Sequence, residues 1–107
     1  MTVPEIFANW AMDFSPEEAA ASHFEALWLV GPYILHMKVD GSSCHMRSER
    51  PLPMPLYLTQ IVVDVDTFLE ISQGRVTMQK AHHVMKLKVD GTLSVLLDIQ
   101  AIFGWGK

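Results

Sequence analysis

Two tight turns in the first half of the chain constrain its fold more than any other feature. Residues 22–47 alternate with a period of two, and the alternation is interrupted at Gly31-Pro32 and at Asp40-Gly41. Such alternation is typical of β-strands, and an Asp-Gly pair between two strands is typical of a hairpin. The sequence therefore predicts a meander of three antiparallel strands.

The register of this meander follows from the two turns. If each dipeptide forms a two-residue turn, both turns place one apolar set on the same face of the sheet. A slip of one residue would turn a strand over, so this agreement supports the pairing. The pairs predicted across the first turn are Trp28 with Leu35, Ala26 with Met37 and Phe24 with Val39. Those predicted across the second turn are Met37 with Cys44, Leu35 with Met46 and His36 with His45. The shared face comprises Phe24, Ala26, Trp28, Val30, Leu35, Met37, Cys44 and Met46.

The remaining elements are predicted from periodicity and from helix-capping residues. Before the meander, Pro4 opens a helical pattern and Ser15 precedes a second, short helix. After it, the sequence predicts a strand over 56–63, a helix from Asp64 that stops at Gly74, a short helix capped by Thr77, a strand over 84–89 and a last helix over 92–103. The apolar residues of the last helix cover roughly 220° of the helical wheel at ~100° per residue. We therefore expect this helix to be covered on several sides.

Composition and charge exclude several classes of protein. Half of the 107 residues are hydrophobic and only 19% are charged, which favours one globular domain over residues 1–107. The chain has more apolar surface than a plain core of this size needs. The net charge is −4 and no basic residue precedes Lys38, so we expect no nucleic-acid partner. Cys44 is the single cysteine, so no intrachain disulfide can form. The sequence shows no targeting signal or membrane span, which predicts a cytoplasmic protein.

Three short stretches of the chain resemble the sterol carrier protein type two family. The first is Phe14-Ser15-Pro16-Glu17-Glu18-Ala19-Ala20, similar to the family's segment before the first strand. The second runs from Val62 through Asp64-Val65-Asp66-Thr67-Phe68-Leu69 to Gln73-Gly74-Arg75-Val76, and the third from Gln79 through Lys86-Leu87-Lys88-Val89-Asp90-Gly91. The resemblance extends over nearly the whole chain. There are departures: Met85 stands where the family usually has glycine, Met78 replaces a proline, and His82-His83 replace an aromatic and an aliphatic residue.

The resemblance implies an α+β fold, in which helices pack on one face of a five-stranded, mostly antiparallel sheet around an apolar cavity. It also implies noncatalytic binding or transfer of a lipid such as a fatty acid, a fatty acyl-CoA or a sterol, with no cofactor. Transient membrane contact is compatible with this function. We expect the last helix, the helix near 66–73 and the inner sheet face to line the cavity. The predicted ligand-binding residues are Trp28, Leu35, Met37, Phe68, Ile71, Met78, His83, Met85, Leu93, Leu96, Leu97 and Gln100.

Two other functions remain open at this point. Leu27, Leu29 and Ile34 fall on the outer face of the predicted sheet, where an apolar patch would favour a homodimer. A small isomerase-like enzyme would instead need a deeply buried base with a shifted pKa, and the candidates are Asp64, Asp66 and His83. The five histidines show no convergent set of three or four ligands, so we expect no metal site.

Overall fold

The computed structural model describes residues 1–106 and contains five helices and five strands in that range. The helices are α1 (Val3–Asp13), α2 (Pro16–Ala19), α3 (Val65–Ser72), α4 (Met78–His83) and α5 (Val95–Phe103). The strands are β1 (His23–Val30), β2 (Tyr33–Asp40), β3 (Ser43–Arg47), β4 (Leu58–Val63) and β5 (Leu87–Asp90). They form one sheet in the order β3-β2-β1-β4-β5, in which only the β1–β4 pair is parallel. The predicted α+β fold with a five-stranded, mostly antiparallel sheet is confirmed.

Side-chain oxygens cap α2, α3 and α4 where the sequence predicted that these helices start. The Ser15 hydroxyl accepts a hydrogen bond from the Glu18 backbone N–H at 3.3 Å, and the Thr77 hydroxyl accepts one from the Lys80 N–H at 3.0 Å. Asp64 caps α3 in the same way. Each bond satisfies one of the backbone donors that a helix leaves unpaired at its first turn.

The β1–β2 register is as predicted, and the β2–β3 register is not. Trp28 lies opposite Leu35, but Met37 lies opposite Met46 and His36 lies opposite Arg47. The two-residue turn is therefore Gly41-Ser42, and Asp40 is the last residue of β2. Gly41 has a φ of +62°, and glycine followed by serine suits a type II′ turn. Because the register differs by two residues, every side chain keeps its predicted face.

The outer face of the sheet is more covered than the sequence predicted. Leu27, expected in an exposed patch, is fully buried, while Leu29 and Ile34 are half-buried. The connection from β3 to β4 must pass β2 and β1, and its residue Arg50 lines one groove with His36 and another with Leu29 and Ile34. Since this connection lies over the outer face, Leu27 is not available for dimer contact. Homodimerisation itself stays a prediction.

The last helix is shorter and more exposed than predicted. It begins at Val95 rather than at Thr92, and its residues Val95, Leu96, Ile99, Ile102 and Phe103 are buried. Leu93, in the turn before it, is 52% exposed, and Leu97 is 58% exposed. The expectation that this apolar segment is covered on several sides is therefore wrong for these two leucines, because they line an open groove between α4 and α5.

Met85 lies outside the strand in which the alternation placed it. β5 begins at Leu87, and Met85 occupies a turn with a φ of +66°, where it is 77% exposed. This left-handed conformation costs an ordinary side chain about 1–2 kcal/mol, and glycine adopts it freely. The resemblance to the sterol carrier proteins had placed a glycine at this position.

We expect Met85→Gly to stabilise the protein by about 1 kcal/mol, because it removes the strain and little buried contact. Thermal unfolding measures the change, and a domain of this size should show a melting temperature higher by about 4–8 °C. A matched Met12→Gly variant, in the exposed part of α1, should be destabilised instead. A Met85→Gly protein that melts at or below the temperature of the unchanged protein would contradict this account.

Candidate functional site

Six aromatic side chains fill the space between the sheet and the helices. Trp10 of α1 lies at the centre of this aromatic cluster, and five other rings have their centroids within 5.1–5.9 Å of it. The surrounding rings belong to Phe7, Trp28, Phe68, Phe103 and Trp105. Trp28 comes from the inner face of β1 and Phe68 from α3. The cluster thus connects three helices, the sheet and the chain after α5.

Three polar atoms within this cluster have no hydrogen-bond partner. They are the indole nitrogens of Trp10, Trp28 and Trp105, all of which are buried. A buried donor without a partner costs about 1–3 kcal/mol. The aromatic cluster therefore contains three unpaired N–H groups among apolar ring atoms.

Trp105 reaches the cluster because the chain turns back after α5. Gly104 ends the helix with a φ of +62°, in the left-handed conformation that glycine commonly adopts there. The carbonyl oxygen of Gly106 then accepts hydrogen bonds from the Met78 backbone N–H and from the Gln100 side-chain amide, each at 2.9 Å. These two bonds hold the segment so that Trp105 packs 4.9 Å from Phe68. Trp105 was not among the residues predicted from the sequence, although Gly104 after the helix was a signal for such a turn.

A groove of about 560 Å³ runs between α1 and the β2–β3 edge of the sheet. Its walls are mostly apolar, with Ala8 and Ala11 of α1 on one side and Leu35 and Met46 on the other. Phe7 also lines it and belongs to the aromatic cluster, so the groove reaches the core. Other lining residues are Pro4, Pro32, Tyr33, Ile34, Arg47 and Ser48. We call this the α1 groove.

A second groove, of about 330 Å³, lies between α4 and α5. It is lined by Gln79, His82, Leu93, Ser94, Leu96 and Leu97. We call it the α4–α5 groove. The exposed leucines of the last segment, Leu93 and Leu97, form its apolar part.

The twelve predicted ligand-binding residues lie in different parts of the molecule. Seven are buried between the sheet and the helices: Trp28, Leu35, Met37, Phe68, Ile71, Met78 and Leu96. Leu35 also lines the α1 groove, and Leu93, Leu96 and Leu97 line the α4–α5 groove. His83 and Met85 are exposed near the end of α4. The structure thus groups most of the buried members, whereas Leu96 lies in the same groove as the exposed Leu93 and Leu97.

Gln100 is occupied by other protein groups. Its amide nitrogen donates to the Gly106 carbonyl oxygen, and its amide oxygen accepts a hydrogen bond of 2.8 Å from the Gln79 side chain. The residue therefore connects α5 to α4 and to the segment that carries Trp105. In this arrangement the Gln100 side chain caps the backbone carbonyl of Gly106.

Two of the five histidines pair with carboxylates of neighbouring strands. His36 and Glu25 are joined at 2.9 Å between Nε2 and Oε2, and His23 and Asp40 at 2.7 Å between Nδ1 and Oδ1. The predicted pairing of His36 with His45 is wrong, because the register places Lys38 opposite His45. Within residues 1–106, no three side chains of the metal-binding types converge.

The three candidates for a catalytic base are exposed, and the single cysteine is half-buried. Burial raises the pKa of the half-buried Cys44 thiol to about 11, which keeps it protonated at neutral pH. Hydrogen bonds from Thr67 lower the pKa of Asp64, which caps α3 on the surface. Asp66 and His83 are also exposed. The buried base that the isomerase hypothesis requires is not supplied by any of its three candidates.

Helices that could cross a bilayer are absent from residues 1–106, since each is too short for a span of apolar residues.

Comparison with solved structures identifies the fold. A double mutant of the sec-alkyl sulfatase PisA1 superposes with a TM-score of 0.81 at 12% identity, covering 96% of this chain and 16% of that chain. Sterol carrier protein 2 from Yarrowia lipolytica, in its apo form, has a TM-score of 0.56 at 14% identity and covers 94% of this chain and 81% of its own. Palmitated SCP2L2 from Aedes aegypti has a TM-score of 0.56 at 12% identity, with 92% and 91% covered.

These likenesses show that the chain has the sterol carrier protein type two fold, as the sequence motifs predicted. The chain spans about one sixth of the sulfatase and most of the carrier proteins. No protein-family model and no curated protein matches the sequence.

Proposed function

We propose that this chain binds a single-chain lipid without catalysis, and that the α1 groove receives the hydrocarbon chain. The observation that carries the proposal is an apolar groove that reaches the aromatic cluster at Phe7. Its volume of about 560 Å³ lies in the range of ligand sites, roughly 300–1,000 Å³. The fold supports the same function, since one protein that shares it carries palmitate.

The physical chemistry of the groove suits an alkyl chain. Each buried methylene group contributes about 0.8 kcal/mol before the costs of binding are subtracted. The small side chains of Ala8 and Ala11 leave the space open, and Met46 on the opposite wall is flexible enough to fit chains of different shape. Hydrocarbon binding needs apolar walls and no reactive group.

Arg47 favours a ligand with an anionic head group. It lines the groove, and its guanidinium is exposed, with Nη1 only 3.6 Å from a Glu49 carboxylate oxygen. Because an exposed ion pair of this kind is weak, a carboxylate or sulfate at the mouth of the groove would replace Glu49 as the partner of Arg47. We therefore propose a fatty acid, or an alkyl chain with a similar head group, ahead of a sterol.

We propose that the buried predicted residues form a second layer beneath this groove. Phe7 separates the groove from Phe68, 5.6 Å away, and Trp28 lies next to Phe68 at 5.8 Å. A chain longer than the groove would enter this layer as Phe7 and Trp105 move aside, and would then contact further predicted residues. These are Met37, Ile71 and Met78.

Filling the groove tests the proposal. Ala8→Trp places a large ring on an exposed position of α1 that lines the groove, and we expect it to raise the Kd for cis-parinaric acid by about tenfold or more. This loss equals about two buried methylene groups. Titration of delipidated protein, followed by the emission of the fatty acid, measures the change.

Met12→Trp is the matched control, because Met12 lies on the same helix, is 83% exposed and does not line the groove. Its Kd should equal that of the unchanged protein. Arg47→Gln should weaken the binding of a fatty acid severalfold and leave a fatty alcohol unaffected. Absence of saturable binding, or equal binding by the Ala8→Trp and Met12→Trp variants, would refute the proposal.

The sulfatase likeness favours a second candidate, in which the ligand is an alkyl sulfate or its alcohol and the chain holds it for an enzyme. The observation behind it is the TM-score of 0.81 over 96% of this chain. Titration with a secondary alkyl sulfate beside palmitate separates the two candidates. Tighter binding of the sulfate would favour the second candidate, and tighter binding of palmitate would favour the first.

A further inference from the structure

Half of the basic residues of this acidic chain lie in one stretch. Residues 71–89 contain Arg75, Lys80, Lys86 and Lys88 and no aspartate or glutamate, whereas the whole chain has a net charge of −4. All four basic side chains are exposed. The acidic residues that flank the stretch in sequence are Glu70 and Asp90, and Asp64 lies close enough to Lys86 that the lysine helps to lower the pKa of its carboxyl. The stretch itself is therefore the most basic segment of a negative protein, with one carboxylate beside Lys86.

Exposed apolar side chains lie within and beside this positive stretch. Val84 is 43% exposed and Met85 is 77% exposed, and both follow directly after α4. Leu93 and Leu97 lie across the α4–α5 groove from α4, where they share the groove with His82. The backbone N–H of Met85 donates to the carbonyl oxygen of His82, so both apolar pairs adjoin His82. We call this surface the α4–β5 tip.

The exposure of Met85 is maintained against a conformational cost. It is the non-glycine residue with a positive φ among those that the structure describes. Strain of this kind persists where the surrounding structure holds it, and it concentrates at functional positions. Here the strained turn displays an apolar side chain to solvent between His83 and Lys86.

We infer that the α4–β5 tip docks on an anionic lipid surface. The apolar side chains would enter the interfacial layer of the bilayer, and the lysines would pair with the negative surface charge. Clustered lysine and arginine beside exposed apolar residues suit this surface on both counts. A protein partner would also cover apolar residues, but the excess of positive charge and the flexible methionine and lysine side chains favour lipid.

Cosedimentation with vesicles tests the inference. The protein should bind vesicles of phosphatidylcholine mixed with an equal amount of phosphatidylglycerol, and should bind phosphatidylcholine alone much more weakly. Each lysine near an anionic surface contributes about a fivefold factor in partitioning. Lys80→Gln combined with Lys86→Gln should therefore lower the partition coefficient by about tenfold or more. Added salt should weaken binding in the same direction.

Two further variants test the contribution of the apolar side chains to vesicle binding. Leu97→Ser should lower partitioning severalfold, and so should Met85→Gly, a substitution that we expect to raise stability. A weaker interaction by the Met85→Gly protein is thus not a consequence of unfolding. The matched controls are Lys38→Gln combined with Arg50→Gln for charge, and Met12→Ser for an exposed apolar residue elsewhere. These controls should partition as the unchanged protein does.

Three outcomes would overturn the inference: equal binding to both kinds of vesicle, no binding to either, or equal losses in the tip variants and the controls. If the protein binds no vesicle but forms a dimer that Leu97→Ser abolishes, the tip is a protein interface. The Ala8→Trp variant should dock normally, because the α1 groove lies elsewhere. Failure of docking is in this way distinguishable from failure of lipid binding.

Discussion

Trp10→Ala should destabilise the protein by about 3–5 kcal/mol, the cost that removal of a large buried aromatic side chain typically has. Trp10 is 1% exposed and has five aromatic rings around it, so no single neighbour can fill the space it leaves. A domain of this kind is stable by only about 5–15 kcal/mol. The variant is therefore close to unfolding, and urea denaturation measures the loss.

Trp10→Phe is the control for this substitution. It keeps a ring in the cluster and removes the indole N–H, which has no hydrogen-bond partner. We expect it to cost less than half as much as Trp10→Ala, because the smaller cavity is partly offset by the loss of an unpaired buried donor. Equal costs for the two variants would show that the cluster does not stabilise the fold through ring packing.

Gly91→Ala should have the second largest effect, about 3 kcal/mol. Gly91 has a φ of +136°, which L residues rarely adopt, and an added Cβ would lie 2.7 Å from the Thr59 hydroxyl oxygen and 2.9 Å from its Cα. Backbone strain and overpacking each cost about 1–3 kcal/mol. The clash also disturbs the 3.1 Å hydrogen bond from the Thr92 N–H to that hydroxyl. This contact fixes the path by which the chain leaves β5 for α5.

Gly74→Ala separates strain from clash. Gly74 also has a positive φ, +76°, but nothing lies within 4 Å of the position of an added Cβ. We expect it to cost about 1 kcal/mol, which is the conformational part alone. If urea unfolding gave both alanine variants the same stability, close packing at Thr59 would not restrict Gly91.

Most of the sheet was predictable because its information is local. Alternation and a glycine-containing turn determine which residue of β1 faces which residue of β2, and Trp28 lies opposite Leu35 as expected. The β3 register was harder, because Asp40-Gly41 and Gly41-Ser42 are both good turn dipeptides and suit different turn types. Only the backbone angles distinguish them, and here Gly41 takes the first position of the turn.

The candidate site was less predictable because it depends on contacts between distant segments. Trp105 lies beyond the last helix, where no periodicity indicates that it returns to the core. The apolar pattern of α5 includes Leu97, but the pattern does not show whether a neighbouring helix covers this side chain. Met85 continues an apolar alternation, and only its backbone conformation removes it from the strand. Leu27 was expected to be exposed and is buried, because the connection from β3 to β4, which has no regular sequence pattern, lies over it.

Nuclear magnetic resonance during titration with palmitic acid tests the central proposal most directly. If the hydrocarbon chain enters the α1 groove, the amide signals of Ala8, Ala11, Leu35 and Met46 should shift first and should saturate together. Signals of the outer sheet face, such as those of Leu29, should remain unchanged. Saturable shifts confined to the outer face, or no shifts at all, would contradict the proposal that this groove binds lipid.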